Sequence, residues 1–422
     1  MTDPRGPRSP RGERGPRAFG HTARVAEENL AWPKNRDQAY DLVIVGAGPG
    51  GSSAAAAALR GGLSVAQLDA SRFPRVKPCA GGLTPKAVRA LPLDLGPSLC
   101  GGSAEFEFNA WRGQRTLFSF RAPLLAMVAR PALDNRLVEE NRARAGFVFH
   151  DGEPVRAIEW RAGRFLVRTD RRELAARQLV GADGANGIVE RLFRVARPRG
   201  RALAVELVLA RSALRNDPIQ RPCFDFGALP RGYGWVFPKE TELSVGLYTL
   251  ARGLKDVRLR LARYLAAKGF RWSGDPLASF EAHTIPLGGD RLRDSGLPLY
   301  LVGDAAGFAD ALTGEGIYHA LESGRIAGEL AVHVARGQAS PSEYRSLLER
   351  TVLRDTRWSW RLAGPFYRAP ALALRILGTS FLWRPLVHGT GSGATFSACL
   401  RGGGRLWLES LRQRSVRRST SI

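Results

Sequence analysis

The stretch Tyr40-Asp-Leu-Val-Ile-Val-Gly-Ala-Gly-Pro-Gly-Gly51, running on into Ser52-Ser-Ala-Ala-Ala-Ala-Ala-Leu59, decides the fold. Asp41–Val45 is a short apolar run of strand type, and the alanine-rich segment reads as a helix. Between them stands Gly46-x-Gly48-x-x-Gly51. The first glycine permits the tight turn, the second lets backbone approach a pyrophosphate, and the third lets helix and strand pack closely. The helix N-terminus then offers unpaired N–H groups and the positive end of its dipole to the phosphates. A second strand, Leu63–Leu68, ends at Asp69, where a carboxylate can hold ribose hydroxyls. Strand, turn, helix and acid in this order point to a bound dinucleotide rather than to a bare glycine-rich turn.

At 422 residues, 44% apolar and 24% charged, the chain is globular and long enough for two or three domains. No run of 18 apolar residues occurs, so no bilayer span is expected. The basic, Pro/Gly-rich N-terminus lacks the apolar core of a secretory signal, which places the expected location in the cytoplasm. Cys79, Cys100, Cys223 and Cys399 form no Cys-x-x-Cys pair, which argues against a zinc knuckle and a disulfide framework. The net charge of +24 invites a nucleic-acid reading, yet only six of the 63 basic residues are lysine, a skew that scatters arginine throughout. The excess gathers in residues 351–422, where twelve arginines face only Asp355 and Glu409. No recognised nucleic-acid module accompanies it, so no nucleic-acid partner is expected.

Two more glycine–acid segments follow strands, Val180-Gly-Ala-Asp183-Gly184 and Tyr300-Leu-Val-Gly303-Asp304-Ala-Ala-Gly307. With Gly46–Gly51 they resemble the triple fingerprint of flavoproteins related to aromatic hydroxylases, which implies FAD. In that resemblance Asp183 and Gly184 join the cofactor site and Asp304 faces the ribityl chain. Gly314 and Gly316 admit the isoalloxazine ring, and Arg130, at a helix start, approaches the flavin phosphates. The segment from Gly303 to Arg325 is similar to the geranylgeranyl reductase family. So are Phe73-Pro-Arg-Val-Lys-Pro-Cys-Ala-Gly-Gly-Leu83 and Gly232-Tyr-Gly-Trp-Val-Phe-Pro-Lys239. The resemblance covers about residues 40–400. It implies reduction of isolated double bonds in prenyl chains on lipids, quinones or pigment precursors, with Tyr233 and Trp235 lining the substrate cavity. The electron donor, NADPH or a ferredoxin, stays open. Alanine stands at 311 where the family has proline, which relaxes the expected loop, and Glu190 stands where arginine is common.

The implied architecture is α/β: a Rossmann-like FAD-binding domain with an inserted β-sheet substrate domain and a helical C-terminal region. Its expected boundaries are a disordered basic arm over 1–39, FAD-binding parts over 40–100, 126–200 and 286–340, substrate-domain parts over 101–125 and 201–285, and C-terminal helices over 341–422 broken by Pro365, Pro370 and Pro385.

Cys79 reads either as a small buried hydrophobe or as the proton donor beside the flavin. Two of the six lysines, Lys77 and Lys86, fall next to it, and an ammonium beside a thiol favours its reactivity. His283 and His319 read as satisfied structural histidines, and no histidine cluster suggests a metal. In the tail, Trp358, Trp360, Phe366, Tyr367, Phe381 and Trp383 interleave with arginines 354, 357, 361, 368, 375 and 384. That pattern fits a helix lying on a membrane, peripheral on its inner face, as well as a solvated surface. A flavin monooxygenase or halogenase acting on an aromatic substrate is the rival reading. An FAD-stabilised nucleic-acid binder ranks last.

Overall fold

The computed structural model describes residues 39–119, 123, 125–216, 219–271 and 280–379. The opening strand Ala39–Val45 lies inside a seven-stranded sheet. It pairs in parallel with Val65–Leu68 on one side and Glu173–Gly181 on the other. Phe147–His150 extends the sheet beyond Val65–Leu68, and Leu299–Leu301 adds in parallel to Glu173–Gly181. The antiparallel strands Arg164–Arg168 and Ala157–Arg161 close the other edge. Both faces of the central strand are covered, which is why Leu42, Val43 and Ile44 are apolar without alternation.

Two helices cover one face and meet through small residues. Pro49–Arg60 packs on Ile317–Ala335, and a Cβ at Gly324 or Gly328 would lie 2.1 or 2.4 Å from the carbonyl oxygens of Gly50 and Ala54. Backbones this close bring the start of the first helix against the segment that follows Gly303.

A second seven-stranded sheet is antiparallel except for one parallel pair, Cys223–Phe226 with Glu105–Ala110. Its order runs Glu281–Leu287, Gly200–Ala210, Glu242–Thr249, Gly232–Pro238, Cys223–Phe226, Glu105–Ala110 and Arg115–Ser119. Alternation along these strands sorts side chains between two faces. Val205, Leu207, Val236, Val245 and Leu247 pack against the helix Val257–Ala267. Ala202, Phe226, Tyr233, Trp235, Phe237 and Tyr248 face the dinucleotide-type domain. A three-stranded sheet of Gly82–Leu83, Leu125–Val128 and Leu99–Ser103 completes the strands. The architecture is the α/β type expected, with a helical C-terminal region.

Pro365 does not end its helix as expected. Val352–Arg368 runs through it, because the helix buries Thr356, Ser359, Ala363 and Tyr367 against the rest of the protein. That burial outweighs the backbone hydrogen bond a proline removes. Pro370 does mark a break and opens the next helix, Pro370–Thr379. Pro385, with Phe381, Trp383, Arg384 and the basic arm, lies outside the described residues. No described helix is long and apolar enough to cross a membrane.

Candidate functional site

One cavity of roughly 400 Å³ joins the two sheets. At one end its wall is backbone: Gly48, Gly50, Gly184, Gly303, Gly314 and Gly316. Gly46 sits at φ +103°, and a Cβ there would lie 2.3 Å from the Ala182 carbonyl oxygen. Gly51 is equally constrained, its hypothetical Cβ being 2.1 Å from the Gly46 oxygen. Gly48 differs, for a Cβ there would meet only the Arg75 guanidinium at 3.5 Å. The first two glycines therefore make the turn, and the space before Gly48 stays open for a ligand. No side chain caps the helix that begins at Pro49, so its first N–H groups are available to phosphate oxygens.

Around this turn the charged side chains brace one another. Asp69 accepts the Ala47 N–H at 2.8 Å through Oδ2 and sits 3.6 Å from Arg75 Nε. It lies behind the turn rather than on the cavity wall. Arg130 reaches the wall and binds the fully buried Asp134 with both Nε (3.0 Å) and Nη2 (2.8 Å). Burial opposes its charge, but Asp134 and then Cys79 outweigh that and hold the guanidinium above its ordinary value. Asp183 is turned toward the helix Ile188–Phe193, where Oδ2 accepts the Val189 N–H at 2.9 Å, and it is Gly184 that reaches the cavity. Burial raises the Asp183 carboxyl above its usual range. Asp304 lies on the cavity wall, 4.0 Å from Lys77 Nζ, and Gly307 ends the short helix Gly303–Ala306 at φ +74° behind it.

The lysines beside Cys79 in sequence are engaged elsewhere. Lys77 faces Asp304, and Lys86 binds Glu315 Oε2 at 2.7 Å. Cys79 shares the cavity wall with Arg130. Cys79 is half-buried and lines the cavity.

The loop from Ala309 to Gly316 is pinned rather than relaxed by alanine at 311. The Ala311 N–H, which a proline would lack, donates to Ser359 Oγ at 3.1 Å. Tyr248 donates to the Ala311 carbonyl at 3.0 Å, Tyr367 to that of Leu312 and Tyr233 to that of Thr313. Asp310 Oδ1 accepts the N–H groups of Leu312 (2.8 Å) and Thr313 (2.7 Å). Beneath this loop lies a buried cluster that the sequence did not disclose: Lys86, Glu315, Asp310, His319 and Asp355. Burial alone would lower Lys86, but Glu315 and Asp310 raise it above its ordinary value. Burial also raises Asp310 and lowers His319. His319 is fully buried, yet neither ring nitrogen has a hydrogen-bond partner among the described residues, nor has His283 Nε2. Neither histidine is thus a fully satisfied structural one, because desolvation by the surrounding core has not been matched by partners.

At its other end the cavity is aromatic. Phe106, Phe108, Phe118, Phe224, Phe226, Phe237 and Phe366 line it together with Tyr233 and Trp235. Gly246, the cross-strand partner of Trp235, leaves room for the indole, since a Cβ there would lie 2.3 Å from the ring. Trp235 Nε1 donates to Ser244 Oγ at 3.0 Å, and Ser244 donates to Glu206 Oε1 at 2.6 Å. Strand alternation could have flagged the aromatic faces, but nothing in the sequence marks Glu206.

The open space at Gly48, the uncapped helix start and the glycines of the cavity wall fit an extended dinucleotide. Residues 39–212 match the FAD binding domain family. The chain is 36% identical over 330 residues to menaquinone reductase of Mycobacterium tuberculosis, covering 70% of this chain and 77% of that protein. It is 32% identical over 303 residues to geranylgeranyl diphosphate reductase of Rhodobacter capsulatus, covering 69% of this chain and 75% of the relative. Among solved structures, a geranylgeranyl bacteriochlorophyll reductase-like protein from Thermoplasma acidophilum shares the fold with a TM-score of 0.67 at 18% identity, over 89% of this chain and 99% of that one.

Proposed function

Because this chain belongs to the geranylgeranyl reductase family of FAD-dependent oxidoreductases, we propose that it reduces carbon–carbon double bonds of a prenyl chain carried on a lipid, quinone or pigment precursor. The observation that carries this reading is the single cavity running from the glycine wall into an aromatic chamber. A prenyl chain is flexible and apolar, and ring faces with few polar groups suit it. FAD, held by Gly48, Gly184, Arg130, Asp304, Gly314 and Gly316, supplies hydride when reduced. The rest falls to the protein: the chamber excludes water, Tyr233 and Trp235 orient the chain, and Cys79 stands on the cavity wall.

The substrate's insolubility favours work at a membrane surface. Leu372 (58% exposed) and Ile376 (39%) stand on the helix Pro370–Thr379 with the exposed Arg375, and Arg368 is exposed just before it. Apolar groups beside arginines are what an interfacial helix presents to anionic lipid.

The test is turnover of a geranylgeranylated lipid and of a menaquinone, with NADPH or a reduced ferredoxin as electron source. Mass spectrometry is expected to show two added hydrogens per reduced bond. Replacing Arg368 and Arg375 with Gln is expected to slow turnover in anionic vesicles but not in detergent. A product that gains oxygen instead would turn the reading toward a monooxygenase.

A further inference from the structure

We propose that Glu206 is a catalytic acid of this site, supplying the proton that one alkene carbon receives; this rests on the prenyl-reduction reading above. Glu206 belongs to the strand Gly200–Ala210, whose alternation sends Val205 and Leu207 into the core beneath the sheet and Ala204 and Glu206 to the cavity wall. It is the carboxyl group on the chamber face of that strand, only 6% exposed, on the same wall as Cys79 and Trp235. A buried acidic side chain incurs a desolvation cost that packing alone gives no reason to accept.

A side-chain hydrogen bond fixes one of its oxygens. Oε1 accepts from Ser244 Oγ at 2.6 Å, and Ser244 is itself held by Trp235 Nε1 at 3.0 Å. The Cys79 backbone amide also approaches the carboxyl group. The charged groups facing it are Lys239 and Glu281, and Lys239 Nζ is already bound to Glu242 Oε1 at 2.7 Å. Burial pushes the carboxyl above the ordinary glutamate range. Ser244, Lys239 and the Cys79 amide pull it back in part, and Glu281 pushes it further. A carboxyl group raised by burial is how a protein keeps a general acid protonated near neutral pH.

In the step itself the Glu206 proton goes to the less substituted alkene carbon, and the π pair forms that C–H bond. The tertiary carbon, left electron-deficient, would form its second C–H bond with the hydride that bound, reduced FAD would supply. Two electrons and two hydrogens have then been added, Glu206 is a carboxylate and FAD is oxidised. Water at the cavity mouth reprotonates Glu206, and the NADPH or ferredoxin donor restores reduced FAD.

Glu206→Gln keeps the shape and the Ser244 hydrogen bond, and Glu206→Asp keeps the acid. Glu206→Gln is expected to retain FAD and lose about 100-fold or more in turnover, with Glu206→Asp recovering part of it. In the wild type, turnover should fall as pH rises through the Glu206 value. Cys79→Ala keeps the backbone amide and should keep that limb. Ser244→Ala, which removes a hydrogen bond favouring the carboxylate, should move the limb to higher pH. Infrared difference spectra of wild type minus Glu206→Gln, taken without FAD, should show the carbonyl stretch of a protonated carboxyl group near neutral pH. Wild-type enzyme that reduces no prenyl chain overturns the underlying reading and this role with it. Wild-type turnover with Glu206→Gln keeping both rate and limb, or a Glu206 that is ionised throughout the active pH range, overturns this role alone.

Discussion

The two ends of the cavity are made of different materials. At the dinucleotide end the wall is main chain, six glycines drawn from four separate turns. At the aromatic end it is ring faces, most of them set on five strands of the second sheet by alternation. A main-chain wall is shaped by φ and by close approach, so a single Cβ can destroy it. A side-chain wall yields more gradually, since neighbouring rings can shift into lost volume. The same cavity therefore joins an end whose turn leaves no room for a Cβ at Gly46 or Gly51 to an end that can be retuned.

The largest effect should follow from adding a side chain at the rigid end. Gly46→Val would place a branched Cβ where φ is +103° and the Ala182 carbonyl oxygen is 2.3 Å away. The backbone on both sides must move, so purified variant is expected to be colourless, with stability lower by roughly 3 kcal/mol or more. Chemical unfolding and flavin absorbance check this. Retention of stoichiometric FAD would break the contrast at its stronger side.

The contrast also explains what could be read from the chain itself. A main-chain site is written locally: Gly46, Gly48 and Gly51 are adjacent in sequence, and Gly303–Asp304 and Gly314–Gly316 sit in short segments with their strands and helices. Arg130 was named from the resemblance and Cys79 from its motif, and both line the cavity. Asp69 and Asp183 were legible as acids after strands, but the structure uses both to brace turns. Glu206 was not legible, because its meaning comes from Ser244 on the adjacent strand and Cys79 on a distant loop. The Lys86–Glu315–Asp310–His319 cluster escaped for that reason too: residues 86 and 315 meet only after the helix Ile317–Ala335 docks.

A milder effect is expected at the adaptable end. Phe224 is half-buried and makes edge contacts with Phe108 (5.2 Å), Phe237 (5.1 Å) and Tyr233 (5.5 Å). Its ring already borders empty space, so Phe224→Ala should destabilise by about 2 kcal/mol, less than truncation in a filled core. FAD content should be unchanged. The KM for a long prenyl substrate should rise about tenfold while kcat changes little, as expected when uniform binding is lost. Loss of FAD in this variant would show that the two ends are not separable.

The smallest effect concerns the layer between them, where Asp310 and His319 carry opposed shifts beneath the Ala309–Gly316 loop. Burial lowers His319 below its ordinary 6.5, so below that pH the unfolded chain binds the extra proton and stability falls as pH drops. Burial raises Asp310 above its ordinary 3.8, so the folded chain holds the extra proton and stability falls as pH rises through the folded value. Glu315 is lowered, so its contribution also falls as pH drops through its ordinary 4.5, while Lys86 is raised and titrates far above this range. The slopes of Asp310 and His319 oppose each other, so each offsets part of the other in the wild type. Removing one partner exposes the other. Asp310→Asn keeps an Oδ1 acceptor for the Leu312 and Thr313 N–H groups, and its stability should decline as pH falls below about 6.5. His319→Gln should instead decline as pH rises from about 4. Urea midpoints between about pH 4.5 and 7 measure both slopes. Slopes of the same sign in the two variants would mean that the pair does not trade a proton, and that the loop under the flavin rests on its tyrosine and serine hydrogen bonds alone.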